Sequence, residues 1–204
     1  MHYSISDHWI KKVILQHRGW RRNHPDPLIK ECRKQKNNNK LIELASLSRY
    51  KSGKKHPHQR RINNDSLKKF SRSLIKRKRA IIKSRSFSLL LCILKSARKK
   101  GIGELTIYDT ALRIGISKNI KPNEVYLHAG TKKGAQILLK SRIRTDSLTI
   151  SELPTSFHAL SVSCVHAEEI LCIYKDALKN SKACEKFLKN KKNNTCLKTE
   201  DEGC

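Results

Sequence analysis

Between residues 11 and 100 the chain carries 29 Lys/Arg against 4 Asp/Glu, and this stretch supplies +25 of the formal +28 of the whole 204-residue sequence. A block of that length with so few acids repels itself on compaction and is comfortable only beside a polyanion, of which nucleic acid is the commonest inside a cell. Any helix formed there must be amphipathic, with cations on the solvent face and a narrow apolar stripe inward. From Gly101 to Asn180 the charge is nearly balanced, 10 basic to 8 acidic residues. The segregation names a class of partner, DNA or RNA, without naming a reaction.

The remaining composition narrows the class. No run approaches the roughly 18 uncharged apolar residues of a membrane span, and Met1 to Ile10 has no charged-then-apolar leader, so no membrane partner is expected. The seven cysteines are odd in number and form no CxxC pair, which signals neither a disulfide framework nor a zinc ribbon. Reduced thiols, a cytoplasmic location, no cofactor and no structural metal follow as expectations. Oligomeric state is not legible.

Apolar periodicity predicts a mainly α protein. Trp9, Ile10, Val13 and Ile14 fall at helical spacing after a Ser6 or Asp7 cap, ending near Arg18-Gly19, with Trp20-Arg21-Arg22 opening an irregular stretch. Asp26-Pro27 reads as cap and first helical residue of a helix toward Lys36. A further helical segment, Leu41 to Leu47, follows an interruption at Asn37-Asn38-Asn39. Residues 51–61 have no periodicity and are expected to be a solvated, mobile loop. Leu67, Phe70, Leu74 and Ile81 mark a basic amphipathic helix over 66–83. Phe87, Leu90, Leu91, Leu94 and Ala97 mark the next, stopped by Arg98-Lys99-Lys100 and Gly101. Glu104 to Ile114 is a helix stopped by Gly115, Val125–Leu127 a short strand or a helical turn, the turn favoured because nothing nearby could pair with a strand, Gly130 and Gly134 a bracketing turn, and Val165 to Leu178 a helix. These elements suggest a basic, partly irregular N-terminal arm with short helices over 1–63, a single helical core over 64–180 and a flexible, disordered Lys-rich C-terminal tail over 181–204.

The cations expected to meet phosphate are Arg21, Arg22, Lys54, Lys55, Arg60, Arg61, Lys68, Lys69, Arg72, Lys76 and Arg79, with Trp9, Trp20 and Tyr50 as possible stacking surfaces. Binding of this kind is largely independent of base sequence. An alternative is an enzyme acting on nucleic acid or a nucleotide, its pocket drawing on Tyr108, Asp109, Arg113, Glu124 and His128. The plainer reading of Asp109 and Arg113 is an i,i+4 ion pair. A third possibility is an interaction protein whose basic arm docks on an acidic partner. Cys164-Val165-His166 with Cys172 matches no zinc spacing, and His24, His56 and His58 read as exposed or phosphate-neighbouring rather than metal-bound.

Gly101-Ile102-Gly103, set between two helices, resembles the hairpin of helix-hairpin-helix modules over residues 94–115. In that family the glycine turn brings backbone close to a phosphate and the second helix offers its N-terminal amides, which implies phosphate contacts at Gly101 and Gly103. Lys99 and Lys100 stand where the family has an apolar residue and proline, and Glu104 adds a negative charge beside those amides.

Overall fold

The computed structural model describes residues 3–189 and is mainly helical. In chain order it contains α1 (Asp7–Asn23), α2 (Pro27–Lys34), α3 (Asn38–Leu47), α4 (Asn64–Lys76), α5 (Lys78–Lys83), α6 (Phe87–Ser96) and α7 (Glu104–Ser117). There follow β1 (Val125–Tyr126), α8 (Ala129–Leu139), β2 (Ser147–Leu148), α9 (Thr155–Ala159), α10 (Cys164–Ile173) and α11 (Ser181–Lys189). Single 3-10 turns occupy Pro57–Gln59, Ile150–Glu152 and Ala177–Lys179. Among the described residues no helix is long and apolar enough to cross a membrane.

Two compact units divide the chain, Met1–His24 with Asn123–Cys204 and, between them, Pro25–Pro122. The boundaries expected at 63/64 and 180/181 therefore run elsewhere. In place of a basic N-terminal arm, α1 inserts Ile10, Val13 and Ile14 into a core shared with Phe157, Leu171 and Tyr174. Leu28, Cys32, Ile42 and Ala45 are fully buried in the other unit. Charge density alone hides this, because cations can cover the outside of a segment whose few apolar positions are all inward. At the other end Ser181–Lys189 is helical, with Cys184 buried and Phe187 against Tyr174 at 5.2 Å. The rest of the expected tail lies outside the described residues.

Within Pro25–Pro122 the helix starts are set by side-chain caps. Asp26 accepts from the Leu28 amide, Asn37 from those of Asn39 and Lys40, Asn63 from Asp65, and Ser86 from Leu89. The asparagine run that reads as an interruption is thus the beginning of α3. α4 gives way to α5 at Arg77, and Leu67, Phe70, Leu74 and Ile81 all face inward as the periodicity predicts. α7 threads the middle of this unit, packed by α2, α3 and α6, so that every residue from Thr106 to Gly115 is buried. Gly115 does not end that helix; the Ile120 carbonyl oxygen sits 2.5 Å from where a Cβ would lie, a close approach only glycine permits.

In the other unit, β1 pairs antiparallel with β2 through Val125↔Leu148 and Tyr126↔Ser147, where the sequence reading favoured a helical turn. The partner strand lies more than twenty residues downstream, beyond the reach of local pattern. α1 continues through Trp20-Arg21-Arg22, α8 contains both Gly130 and Gly134, and the expected helix over 165–178 is α10 followed by a 3-10 turn.

Candidate functional site

A helix buried on all sides cannot carry charge unless every charge is answered. The buried stretch of α7, Thr106–Gly115, carries two, Asp109 (8 % exposed) and Arg113 (2 %). Arg113 donates through Nη1 to Ser48 Oγ at 2.6 Å and to the Ala45 carbonyl at 3.3 Å, while its Nη2 stands 4.0 Å from Asp109 Oδ2. The expected i,i+4 pair is present, buried and drawn toward the end of α3.

The carboxylate's closer partners come from the segment between α3 and α4. This segment is held at several points. Arg49 bridges Lys55, the Arg49 guanidinium donates to the Gly53 carbonyl and to Asn64 Oδ1, and the His56 amide donates to the Ser48 carbonyl at 2.8 Å. Lys55 Nζ reaches the Ile62 carbonyl. The 3-10 turn at Pro57–Gln59 then drops Gln59 into the interior, fully buried, where its Nε2 donates to Asp109 Oδ2 at 2.7 Å. His58 Nδ1 meets the same oxygen at 2.9 Å. A carboxylate only accepts, so Nδ1 is the protonated nitrogen of His58. The ring of His56 stands edge-on to that of His58, centroids 4.8 Å apart. The expected solvated loop is therefore pinned onto α7.

Burial is the largest influence on Asp109 and acts to raise its pKa. The opposing pull of His58, Arg113 and His56 outweighs it and holds the carboxyl below its ordinary value. The result is a buried carboxylate, ionised at neutral pH, presenting an imidazole whose side chain is 48 % exposed. Such a pair can orient an imidazole for proton transfer or, with His56 alongside, offer donors to a metal ion.

The other candidates divide. Tyr108 is a core side chain, edge-to-face with Phe87 at 5.7 Å. Glu124 and His128 belong to the other unit, where Glu124 accepts from Ser147 Oγ at 2.6 Å and His128 precedes α8. Lys68, Lys69, Arg72, Lys76 and Arg79 are all exposed on α4 and α5, and Arg22, Lys54, Arg60 and Arg61 are exposed as well. Lys55 is tied to the Ile62 carbonyl, and Arg21 is engaged by Glu169, which also takes His17 Nε2 at 3.0 Å. The aromatic faces are covered from within the chain: Trp20 stacks on His24 and carries Arg21, Trp9 carries Lys12, and Tyr50 leans on His56. Gly101, at φ 86°, and Gly103 are exposed between α6 and α7.

Sequence reasoning missed His56, His58 and Gln59 as partners of Asp109. The His-x-His spacing around Pro57 was the available signal, but nothing local pointed it at a residue fifty positions on. It also missed Glu169, whose partners His17 and Arg21 stand about 150 positions earlier in the chain. No known protein family, curated protein or solved structure matches the chain.

Proposed function

We propose that the unit Pro25–Pro122 binds nucleic acid through the outer faces of α4 and α5, by contacts to phosphate that are largely independent of base sequence. This unit holds 27 Lys/Arg against 6 Asp/Glu. The observation that carries the reading is a run of unanswered cations. Lys68, Lys69, Arg72, Lys76, Arg77, Lys78, Arg79, Lys83 and Arg85 are exposed, and none pairs with a carboxylate among the described residues. Packing Leu67, Phe70, Leu74 and Ile81 inward forces these side chains outward together. A groove of about 240 Å³ lined by Asn38, Lys78, Arg79, Ile82 and Lys83 offers a concave cationic seat on the same surface.

The glycine turn supports the same reading. Gly103 precedes α7 with no side-chain cap, and the Glu104 charge beside it is met by Arg98 at 2.8 Å and Lys95 at 3.4 Å. Phosphate contact at Gly101 and Gly103, as in helix-hairpin-helix modules, is part of the proposal.

Counter-ion release makes such binding fall linearly in log K against log salt, by about 0.9 per neutralised phosphate on duplex DNA. Fluorescence anisotropy with labelled duplex and single-stranded oligonucleotides over a salt series tests it. Affinity that drops steeply with salt and barely responds to base sequence is expected; absent binding, or binding indifferent to salt, defeats the reading.

A further inference from the structure

We propose that His56, His58 and Asp109 form a binding site for a first-row divalent metal ion of the zinc class. One donor atom from each of the three lies within 4.8 Å of the other two, and among the described residues no other group of three His, Cys, Asp or Glu side chains meets in this way. Bonds of about 2.0–2.2 Å in a tetrahedral zinc site place donor atoms about 3.4 Å apart, so an ion needs the rings and carboxylate to close by about an ångström. His58 Nδ1 and Asp109 Oδ2, hydrogen-bonded at 2.9 Å, are nearer than that and part by about half an ångström once the shared proton leaves, while the wider separations close. Rotation of side chains on a short loop supplies the remainder, with no change to the helices.

Three features separate this cluster from a plain histidine–aspartate hydrogen bond. A hydrogen-bonded pair needs one imidazole, and here a second, on the other side of Pro57, is packed against the first. The carboxylate is held from behind by Gln59 Nε2, the outer hydrogen bond that ligating carboxylates carry. Gln59 Oε1 is buried with no hydrogen-bond partner among the described residues, an unanswered polar atom next to the cluster. Arg113, the nearby cation, is committed to Ser48 and Ala45 and keeps its 4.0 Å separation from the carboxylate. Two imidazole nitrogens and one carboxylate oxygen suit zinc, cobalt or nickel better than magnesium or calcium, which prefer all-oxygen sites. On binding, the His58 Nδ1 proton leaves to solvent and the nitrogen lone pair goes to the ion. The half-exposed His58 leaves the fourth coordination position open to water.

Titration of the full chain with Co²⁺, read by its visible d–d bands and followed by displacement with Zn²⁺, tests the site. One ion per chain is expected, with affinity at least tenfold weaker in His56→Ala and in His58→Ala and unchanged in His24→Ala. Zn²⁺ should raise the thermal midpoint of the wild-type chain and not of the two variants. His56→Gln, closer in size, serves where alanine lowers the far-ultraviolet helical signal. Absence of both bands and midpoint shift overturns the proposal, as does full-strength binding in both histidine variants. Intense sulfur-to-cobalt charge-transfer bands would put the ion on cysteines and overturn it equally. Nucleic-acid affinity is not a readout, so this inference and the preceding one fail separately.

Discussion

The carbonyl oxygen of Leu171 stands 1.9 Å from the position a Cβ on Gly134 would occupy, and the Leu171 carbonyl carbon stands 2.7 Å away. α8 and α10 are therefore in contact backbone to backbone, and nothing flexible separates them. Alanine gains about 1 kcal/mol over glycine in a helix interior. Here that gain is opposed by a clash with main chain that must move, and Gly134→Ala should lower stability by roughly 2–3 kcal/mol net. Gly19→Ala is the control, because Gly19 is exposed in α1 with nothing within 4 Å of its Cβ position; it should raise stability by about 0.5–1 kcal/mol. Urea unfolding of the two variants decides, and a neutral Gly134→Ala would mean that α8 and α10 are not so closely set.

The same glycine shows why part of the fold was legible and part was not. Gly130 and Gly134 read locally as turn residues, yet their role is set by a helix more than thirty residues away. Where information is local, as in the Asp26-Pro27 cap or the Leu67–Phe70–Leu74 stripe, pattern and structure agree. Strand pairing at Val125 and the inward turn of residues 25–63 depend on distant partners, which periodicity does not register.

Glu169 gives a pH-dependent stability. Its burial acts to raise its pKa, but the hydrogen bond from His17 and the charge and hydrogen bonds of Arg21 dominate and hold it at about 2, below the ordinary 4.5. A depressed carboxyl stabilises the fold above its unfolded value and loses that contribution as pH falls through the folded one. The expected window runs from about 4.5 down to about 2. Glu169→Gln should cost about 3 kcal/mol at neutral pH, since it leaves the partly buried Arg21 guanidinium without its carboxylate. The deficit should shrink on acidification through that window, measured by chemical unfolding at several pH values. A deficit constant with pH would show that the carboxylate charge is not what stabilises this contact.

The cationic ridge predicts a difference between two sets of substitutions. Changing Lys68, Lys69, Arg72, Lys76 and Arg79 together to glutamine should flatten the salt dependence of nucleic-acid binding, by about 0.9 in slope for each phosphate that is no longer neutralised. Changing Lys175 and Lys179 in the other unit should leave the slope nearly intact, as Lys179 is already paired with Asp176 at 2.8 Å and Lys175 reaches the Cys172 carbonyl. Equal effects from the two sets would indicate diffuse attraction by net charge in place of a surface on α4 and α5. Helical content should be unchanged throughout, because all five side chains point outward.

The candidate site was half visible. Asp109 and Arg113 at i,i+4 were apparent as a pair, but their burial was not, because an apolar stripe says which face is inward and cannot say that α7 is enclosed on every side. Once α7 is enclosed, a lone ion pair is insufficient, and the chain answers Asp109 with Gln59 and His58 from a segment rich in Lys, His and Arg that has no periodicity at all. That segment looked solvated because the side chains that hold it, Arg49, Lys55, His58 and Gln59, are all polar and make hydrogen bonds to α7 or to nearby backbone.

Cysteine reactivity reports on the same interior. Burial pushes the Cys32 thiol up to about 12, with the Arg113 charge opposing only in part, and pushes Cys184 up to about 11. The thiolate is the nucleophile, so neither should react with maleimide at neutral pH while the chain is folded. Cys92, exposed on α6, should be modified at once. Peptide mapping by mass spectrometry separates these from the remaining thiols. Arg113→Lys removes the forked guanidinium that joins Ser48 and Ala45 to α7, and a single ammonium cannot keep both bonds and the approach to Asp109. Loosening α2 and α3 from α7 in this way should expose Cys32 to labelling while Cys184, in the other unit, stays protected. Labelling of both together in the variant would mean the two units unfold as one, and labelling of neither would mean that apolar packing around Cys32 holds without the guanidinium.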